Sequence, residues 1–144
     1  MIRRDMPFVL PIADTAPDRW TENNFLDALR ERNTIGMVAE AGDDLVGHVV
    51  YSPHKTKLEV LTLAVRPDRR RQGVGTQLLD KLKGKLAGHR RTRLGLTVPE
   101  TSLDAQLFLR AQDFVATRLL PGHFEDEDGI RFAYRLPAGA EDLW

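Results

Sequence analysis

Two stretches near the N-terminus place apolar residues at helical spacing. Met6, Val9, Leu10 and Ala13 form the first stripe, with Asp5 positioned to cap it and Pro7 tolerated in its first turn. Phe25, Leu26 and Leu29 form the second, on a helix expected at about residues 22–32 and capped by Thr21. The period then changes to that of strands. Residues 35–40 and 45–51 are short apolar runs separated by Ala41-Gly42-Asp43-Asp44, which predicts a hairpin. Residues 58–65 are apolar at nearly every position, the pattern of a central strand buried on both faces.

Farther along, Leu78, Leu79, Leu82 and Leu86 lay an apolar stripe on a helix from Gly75 to about Leu86, with Gly88 as its stop. Residues 93–98 predict a strand closed by Pro99. Ser102 is placed to cap a helix whose apolar face is Ala105, Leu107, Phe108 and Ala111. Residues 114–120 and 131–136 read as two last strands around an acidic loop, Glu125-Asp126-Glu127-Asp128. Helices, a strand meander, then strand–helix–strand–helix–strand–strand describe one mixed α/β layer structure.

Composition narrows the class. A chain of 144 residues suits a single domain spanning 1–144, and 42% hydrophobic with 29% charged residues is an ordinary globular mixture. The absence of Cys excludes disulfides, thiolate metal sites and a cysteine nucleophile. No apolar run approaches the roughly 20 residues of a membrane helix. The N-terminal stretch has two arginines but no signal-peptide pattern, so the expectation is a soluble, cytoplasmic protein with no membrane partner. Lys+Arg and Asp+Glu are equal at 21 each, which gives no general argument for a nucleic-acid partner. The distribution is uneven, with ten basic residues against two acids between Arg66 and Arg93, and the acidic run near the other end. That asymmetry suggests two polar surfaces with different clients; the alternative for either is a solvated face.

The segment from Leu58 to Gly75 carries the chemistry: a strand, then Arg66-Pro67-Asp68-Arg69-Arg70-Arg71-Gln72, then Gly73-Val74-Gly75 opening a helix. Strand, glycine loop and helix N-terminus gather backbone N–H groups around an anion, and the helix dipole favours negative charge there. The flanking arginines add charge a pyrophosphate would attract. It is not a Walker motif, since no Gly-Lys-Ser/Thr follows, and the third glycine of the dinucleotide fingerprint is Leu78. A tight turn that uses Gly for packing is the plain alternative.

Arg70-Arg71-Gln72-Gly73-Val74-Gly75, preceded by Ala64-Val65-x-Pro67 and followed by a leucine-rich helix, resembles the acetyl-CoA motif of the GNAT acyltransferases. Trp20-Thr21-Glu22-x-x-Phe25 resembles the Trp-Ser-Glu-x-x-Phe segment of the RimI-type enzymes, which acetylate the N-terminal amine of a ribosomal protein. Ser102-x-x-Ala105-x-x-Phe108-Leu109 ending at Asp113-Phe114 is similar to their Asn-x-x-Ala-x-x-Leu-Tyr…Gly-Phe, and Glu127-Asp128-Gly129 to their Glu-Asp-Ala. The resemblance implies a GNAT acyl-CoA N-acyltransferase fold: an α+β layer structure with a mixed, mostly antiparallel sheet of about seven strands and about four helices. It implies acetyl-CoA as cosubstrate. Leu63, Ala64 and Val65 would line the strand that holds pantetheine and the acetyl carbonyl, and Arg70 with Arg71, Gln72, Gly73, Val74, Gly75 and Thr76 would form the pyrophosphate cradle. Ser102 stands where the family has an Asn, and its hydroxyl is shorter and offers fewer bonds than an amide.

Two departures concern catalysis. The RimI-type base is a Glu within Leu-Glu-Val, and this chain has Leu96-Thr97-Val98; the usual acid is a Tyr, and Leu109 takes its place. Attack by an amine requires loss of the ammonium proton. Glu59, six residues before Val65, stands at a spacing similar to the catalytic Glu of the histone-type GNAT enzymes, and desolvation on an apolar strand suits a carboxylate to act as a base near neutral pH. Pairing with Lys55 or Lys57 is the structural alternative. His48 reads as an interior or edge residue, His54 and His89 as solvated, His123 as a candidate for substrate or proton handling, and Tyr134 as a candidate acid. Trp20 either anchors a helix start or borders a peptide groove. No metal is expected, because no histidines have ligand spacing and no carboxylate cluster appears.

The leading reading is an acetyl-CoA-dependent N-acetyltransferase acting on a primary amine, most specifically a protein or peptide N-terminal α-amine, by direct attack in a ternary complex, as a monomer or homodimer. The alternative is a non-catalytic acyl-CoA-binding or regulatory protein, favoured by Thr97 and Leu109. A nucleic-acid module on the basic segment ranks below both, because few aromatics interleave with it.

Overall fold

In the computed structural model, described for residues 1 and 3–137, six strands form one sheet in the order β1-β2-β3-β4-β6-β5. These are β1 (Ile35–Ala41), β2 (Asp44–Pro53), β3 (Lys57–Val65), β4 (Arg93–Pro99), β5 (Val115–Phe124) and β6 (Glu127–Arg135). The helices are α1 (Met6–Asp14), α2 (Glu22–Arg30), α3 (Val74–Gly88) and α4 (Leu103–Ala111). Every strand pairing is antiparallel except β3 with β4, which are parallel and joined through α3. The sheet is thus the mixed, mostly antiparallel one expected, with six strands among the described residues where about seven were anticipated. Residues 138–144 of the expected single domain lie outside the described residues. No described helix is long and apolar enough to cross a membrane.

The strongest periodic signals became the core. Leu78, Leu79, Leu82 and Leu86 are all buried and pack α3 onto Val49, Leu58, Val60, Leu94, Leu96 and Phe132 of the sheet. Each such side chain contributes about 1.5–3 kcal/mol relative to exposure. On the other face, Met6, Val9 and Ala13 of α1 and Phe25 of α2 cover Val50. Thr21 caps α2 as expected: its hydroxyl accepts from the Asn24 N–H, and the Asn24 side chain accepts from the Thr21 N–H at 2.8 Å.

Asp5 does not cap α1. It ends a short 3-10 turn and is itself helical, with φ −78° and ψ −18°, so it cannot present the extended backbone a cap requires. Ser102 makes no side-chain cap to α4 either. The inward face of α4 is Ala105, Phe108 and Leu109, at i, i+3 and i+4, and Leu107 points outward at 56% exposure. The acidic run is not all loop: only Glu125 and Asp126 form the turn, while Glu127 and Asp128 begin β6.

The strand buried along both faces is β2, where residues 46–51 are all buried. In β3 burial alternates from residue to residue, and a bulge interrupts its pairing with β2. Val50 pairs with Thr62 and Tyr51 with Val60, which leaves Leu61 as an extra residue. The bulge reverses the faces. Before it, Leu58 and Val60 point toward α3; after it, Thr62 and Ala64 point toward α1, where Ala64 meets Ile12 and Ala16.

Candidate active site

β3 and β4 pair from Lys57–Arg93 to Val60–Leu96 and then part. Beyond the bulge the Arg66 N–H donates to Val46 O, and Ala64 and Thr62 stand opposite His48 and Val50. Antiparallel alternation therefore turns the backbone groups of Ala64 and Thr62 toward β2 and those of Leu63 and Val65 into the gap left by β4. The bulge and the parting of β4 together open backbone donors and acceptors at mid-sheet.

A cleft of about 900 Å³ occupies this gap. Leu63 and Val65 line it, as do Arg70, Arg71, Gly73, Val74, Gly75, Thr76 and Ser102. Two of the expected residues do not. The Ala64 side chain packs on the opposite face, and Gln72 turns its amide back to Asp68 O at 3.3 Å. Thr15, Ala16 and Pro17 form a wall that no local motif announced, because they come from the loop between α1 and α2.

The floor of the cleft has the backbone geometry that favours an anion. α3 begins at Val74, and its first bond from a helix N–H to a preceding carbonyl runs from Gln77 to Gly73 O at 2.9 Å, so the N–H groups of 74, 75 and 76 have no carbonyl one turn back. Arg71 and Gly73 are left-handed, with φ +63° and +85°. Alternating handedness folds successive N–H groups into a concavity that favours anions. Gly73 has nothing within 4 Å of where a Cβ would stand, so the opening is free to a phosphate; Gly75 is held close beneath the Phe108 ring. Arg70 braces the frame, donating to Val65 O at 3.1 Å and to Thr15 Oγ1 at 3.0 Å. The basic segment is not one surface: Arg66 pairs with Asp68, Arg91 donates to His54 O, and Lys83 donates to Gln112 O and sits 4.4 Å over the Tyr134 ring.

On the opposite face of the sheet, beside the apolar α1 and α2 contacts, the stretch formed by β3, β4 and β6 is polar. Glu59 carries a doubly bonded ion pair with Arg131 of β6: Nη1 donates to Oε1, and Nη2 to Oε2 at 2.8 Å. Lys57 stands 3.9 Å from the same carboxylate, the partner the structural alternative named. Glu59 raises the Arg131 pKa by hydrogen bonding, which fixes the guanidinium as a cation. Gly95 lies directly beneath, and a Cβ there would stand 2.6 Å from Glu59 Oε2. Thr97 faces the same way, against Gly129. His123 is exposed and stacks edge-on with Phe124 at 4.9 Å. Glu127 accepts from Thr101 Oγ1 in the loop before α4, and Asp128 accepts from the Gly122 N–H of β5 at 2.7 Å, so half the acidic run is held by neighbouring segments.

The remaining candidates lie apart from this polar stretch. Leu109, at the position of the family's acid, is 1% exposed in the α3 core. Tyr134 sits on the α3 side with its phenol pushed up by burial and by Asp113 and Asp80. His54 and His89 are exposed. His48 is fully buried beside Phe25, neither ring nitrogen has a hydrogen-bond partner among the described residues, and burial lowers its pKa to about 4. Among the described residues, no three His, Asp or Glu side chains gather as a metal site would require.

The same architecture recurs in solved structures. The Ard1 protein of Thermoplasma volcanium superposes with a TM-score of 0.84 at 26% identity, over 95% of each chain. The ribosomal-protein-S18-alanine N-acetyltransferase of Escherichia coli gives 0.82 at 21% identity, covering 100% of this chain and 96% of its own. A GNAT family acetyltransferase of Elizabethkingia anophelis with acetyl-CoA bound gives 0.74 at 21%, covering 94% and 92%. No curated protein matches the sequence. Residues 2–114 match the model of the acetyltransferase (GNAT) family, and the chain belongs to that family.

Proposed function

We propose that this acetyl-CoA-dependent acetyltransferase modifies a primary amine, with a protein N-terminal α-amine as acceptor, in the manner of the RimI type. The observation that carries the reading is the gap beside Leu63 and Val65, which leads into the concavity at the start of α3. Backbone groups of Leu63 and Val65 would hold the pantetheine arm and polarise the thioester carbonyl. The N–H groups from Arg71 to Thr76 would take the pyrophosphate, with Ser102 across the cleft and Arg70 bracing β3 against the α1–α2 loop. The α-amine acceptor rests on the Trp20-Thr21-Glu22-x-x-Phe25 and Glu127-Asp128-Gly129 resemblances and on the likeness to the Escherichia coli alanine acetyltransferase.

Thr97 and the buried Leu109 favour a second reading, an acyl-CoA binder without turnover. Calorimetric titration with acetyl-CoA and with CoA, followed by thiol release on peptides with free or blocked N-termini, separates the two. Saturable binding with thiol release only from free N-termini supports transfer to an α-amine. Binding without release supports the second reading, and no binding overturns both.

A further inference from the structure

The bulge at Leu61 turns Thr62 toward the loop between α1 and α2. There Thr62, 1% exposed, donates from Oγ1 to Asp18 Oδ2 at 2.7 Å, across 44 residues of sequence. Asp18 directly follows the cleft-lining segment 15–17, and Thr62 directly precedes Leu63 of the cleft wall. Along the backbone, Asp18 stands one residue beyond Pro17 and Thr62 one residue before Leu63, a Cα step of ~4 Å in each case from a residue that lines the cleft. Burial pushes the Asp18 carboxyl above the ordinary aspartate range, opposed by the Thr62 hydroxyl and by its own backbone.

Other charged or titratable groups occupy this side of the molecule. Arg19 follows in the loop, and Arg70 reaches Thr15. His48 stands opposite Ala64 on β2, and Glu59 is engaged by Arg131. Among the described residues none of these makes an ion pair with Asp18.

We propose that Asp18 is the base that takes the proton from the acceptor ammonium, with Thr62 as the residue that positions it. The inference rests on the function proposed above. One proton of the ammonium passes to the Asp18 carboxylate, directly or through one water, and the freed nitrogen lone pair attacks the thioester carbon. The C–N bond forms, the tetrahedral oxyanion is held by backbone N–H of β3, and the C–S bond then breaks. A second proton leaves the nitrogen and ends on the thiolate sulfur as CoA departs; the protonated Asp18 returns its proton to solvent.

Asp18→Asn separates base from tether, because the amide oxygen still accepts from Thr62 while the group no longer takes a proton. Turnover on a free-N-terminus peptide is expected to fall about 100-fold or more, with loss of the acidic limb of the pH–rate profile and unchanged affinity for acetyl-CoA. Thr62→Val keeps the carboxylate and moves the acidic limb to higher pH, since a hydrogen bond to the charged form is lost. An Asp18→Asn variant with wild-type turnover and an intact acidic limb overturns the assignment of the base alone. Wild-type protein that fails to bind acetyl-CoA overturns the proposed function instead. Carbon-13 carboxyl titration of wild-type protein, assigned with Asp18→Asn, judges the base whatever the acceptor: titration above ordinary aspartate is expected, and titration at or below it overturns the proposal.

Discussion

Glu59 and Asp18 sit toward the same face of the sheet and differ in what surrounds them. Glu59 projects from the paired half of β3, where Arg131 engages both of its oxygens and Lys57 adds a second cation. Asp18 comes from a loop onto the parted half of β3, where the Thr62 hydroxyl and its own backbone meet it and burial favours its neutral form. The same functional group is thereby prepared for two tasks: one carboxylate fixes a guanidinium in the groove, and the other is poised to gain and lose a proton. The one-residue bulge between them makes the division.

Four measurements break or sharpen that contrast, beneath the larger loss expected for Asp18→Asn. The first concerns His48, a third titratable group near the same helices, buried with no hydrogen-bond partner among the described residues. Its folded pKa of about 4 lies below the ordinary 6.5, so the unfolded chain binds the proton first. Stability is therefore complete above about pH 6.5 and falls as pH drops toward 4, by roughly 3 kcal/mol in all. Denaturant unfolding across that window measures the slope, and His48→Leu should remove it; an unchanged slope would mean that other groups carry it.

Next in size is Gly95→Ala. Its Cβ would press on Glu59 and Arg131, and displacing the pair should cost about 2 kcal/mol of stability. Third, Gly73→Val places a β-branched residue at φ +85° and fills an open cradle. The strain and obstruction together should weaken acetyl-CoA binding about tenfold or more by calorimetry, while thiol release on saturating acetyl-CoA changes less. The smallest effect is expected for Glu59→Gln, which keeps an oxygen for Arg131. Turnover should fall less than for Asp18→Asn, at unchanged acetyl-CoA affinity. A loss as large as that of Asp18→Asn would restore Glu59 as the base and erase the contrast.

The glycine-loop side of the cleft was legible as structure because its determinants are contiguous. The strand, the arginine loop and Gly73-Val74-Gly75 follow one another, and local backbone geometry builds the concavity from them. Side-chain surroundings were not legible where the neighbours are distant in sequence. Ala64 was expected with Leu63 and Val65 on the strand whose backbone holds the cofactor, and alternation sends its side chain to Ile12 and Ala16. Leu107 joined the apolar face of α4 on composition, whereas the docking of Phe108 over Gly75 turns it outward. Arg131 gave no signal, since one arginine on a predicted strand resembles any other solvated charge.

The helices and strands, the leucine seam of α3, the cap at Thr21 and the glycine turn that opens α3 are written in the sequence. Each depends on residues within a turn or a strand's length of one another, where periodicity and backbone preference act. Only the tertiary structure decided which polar groups share a face. Thr62 reaches Asp18 across 44 residues and Glu59 reaches Arg131 across 72. Both meetings depend on strand register and on one extra residue at Leu61, and a single-residue shift moves every following side chain to the other side of a sheet.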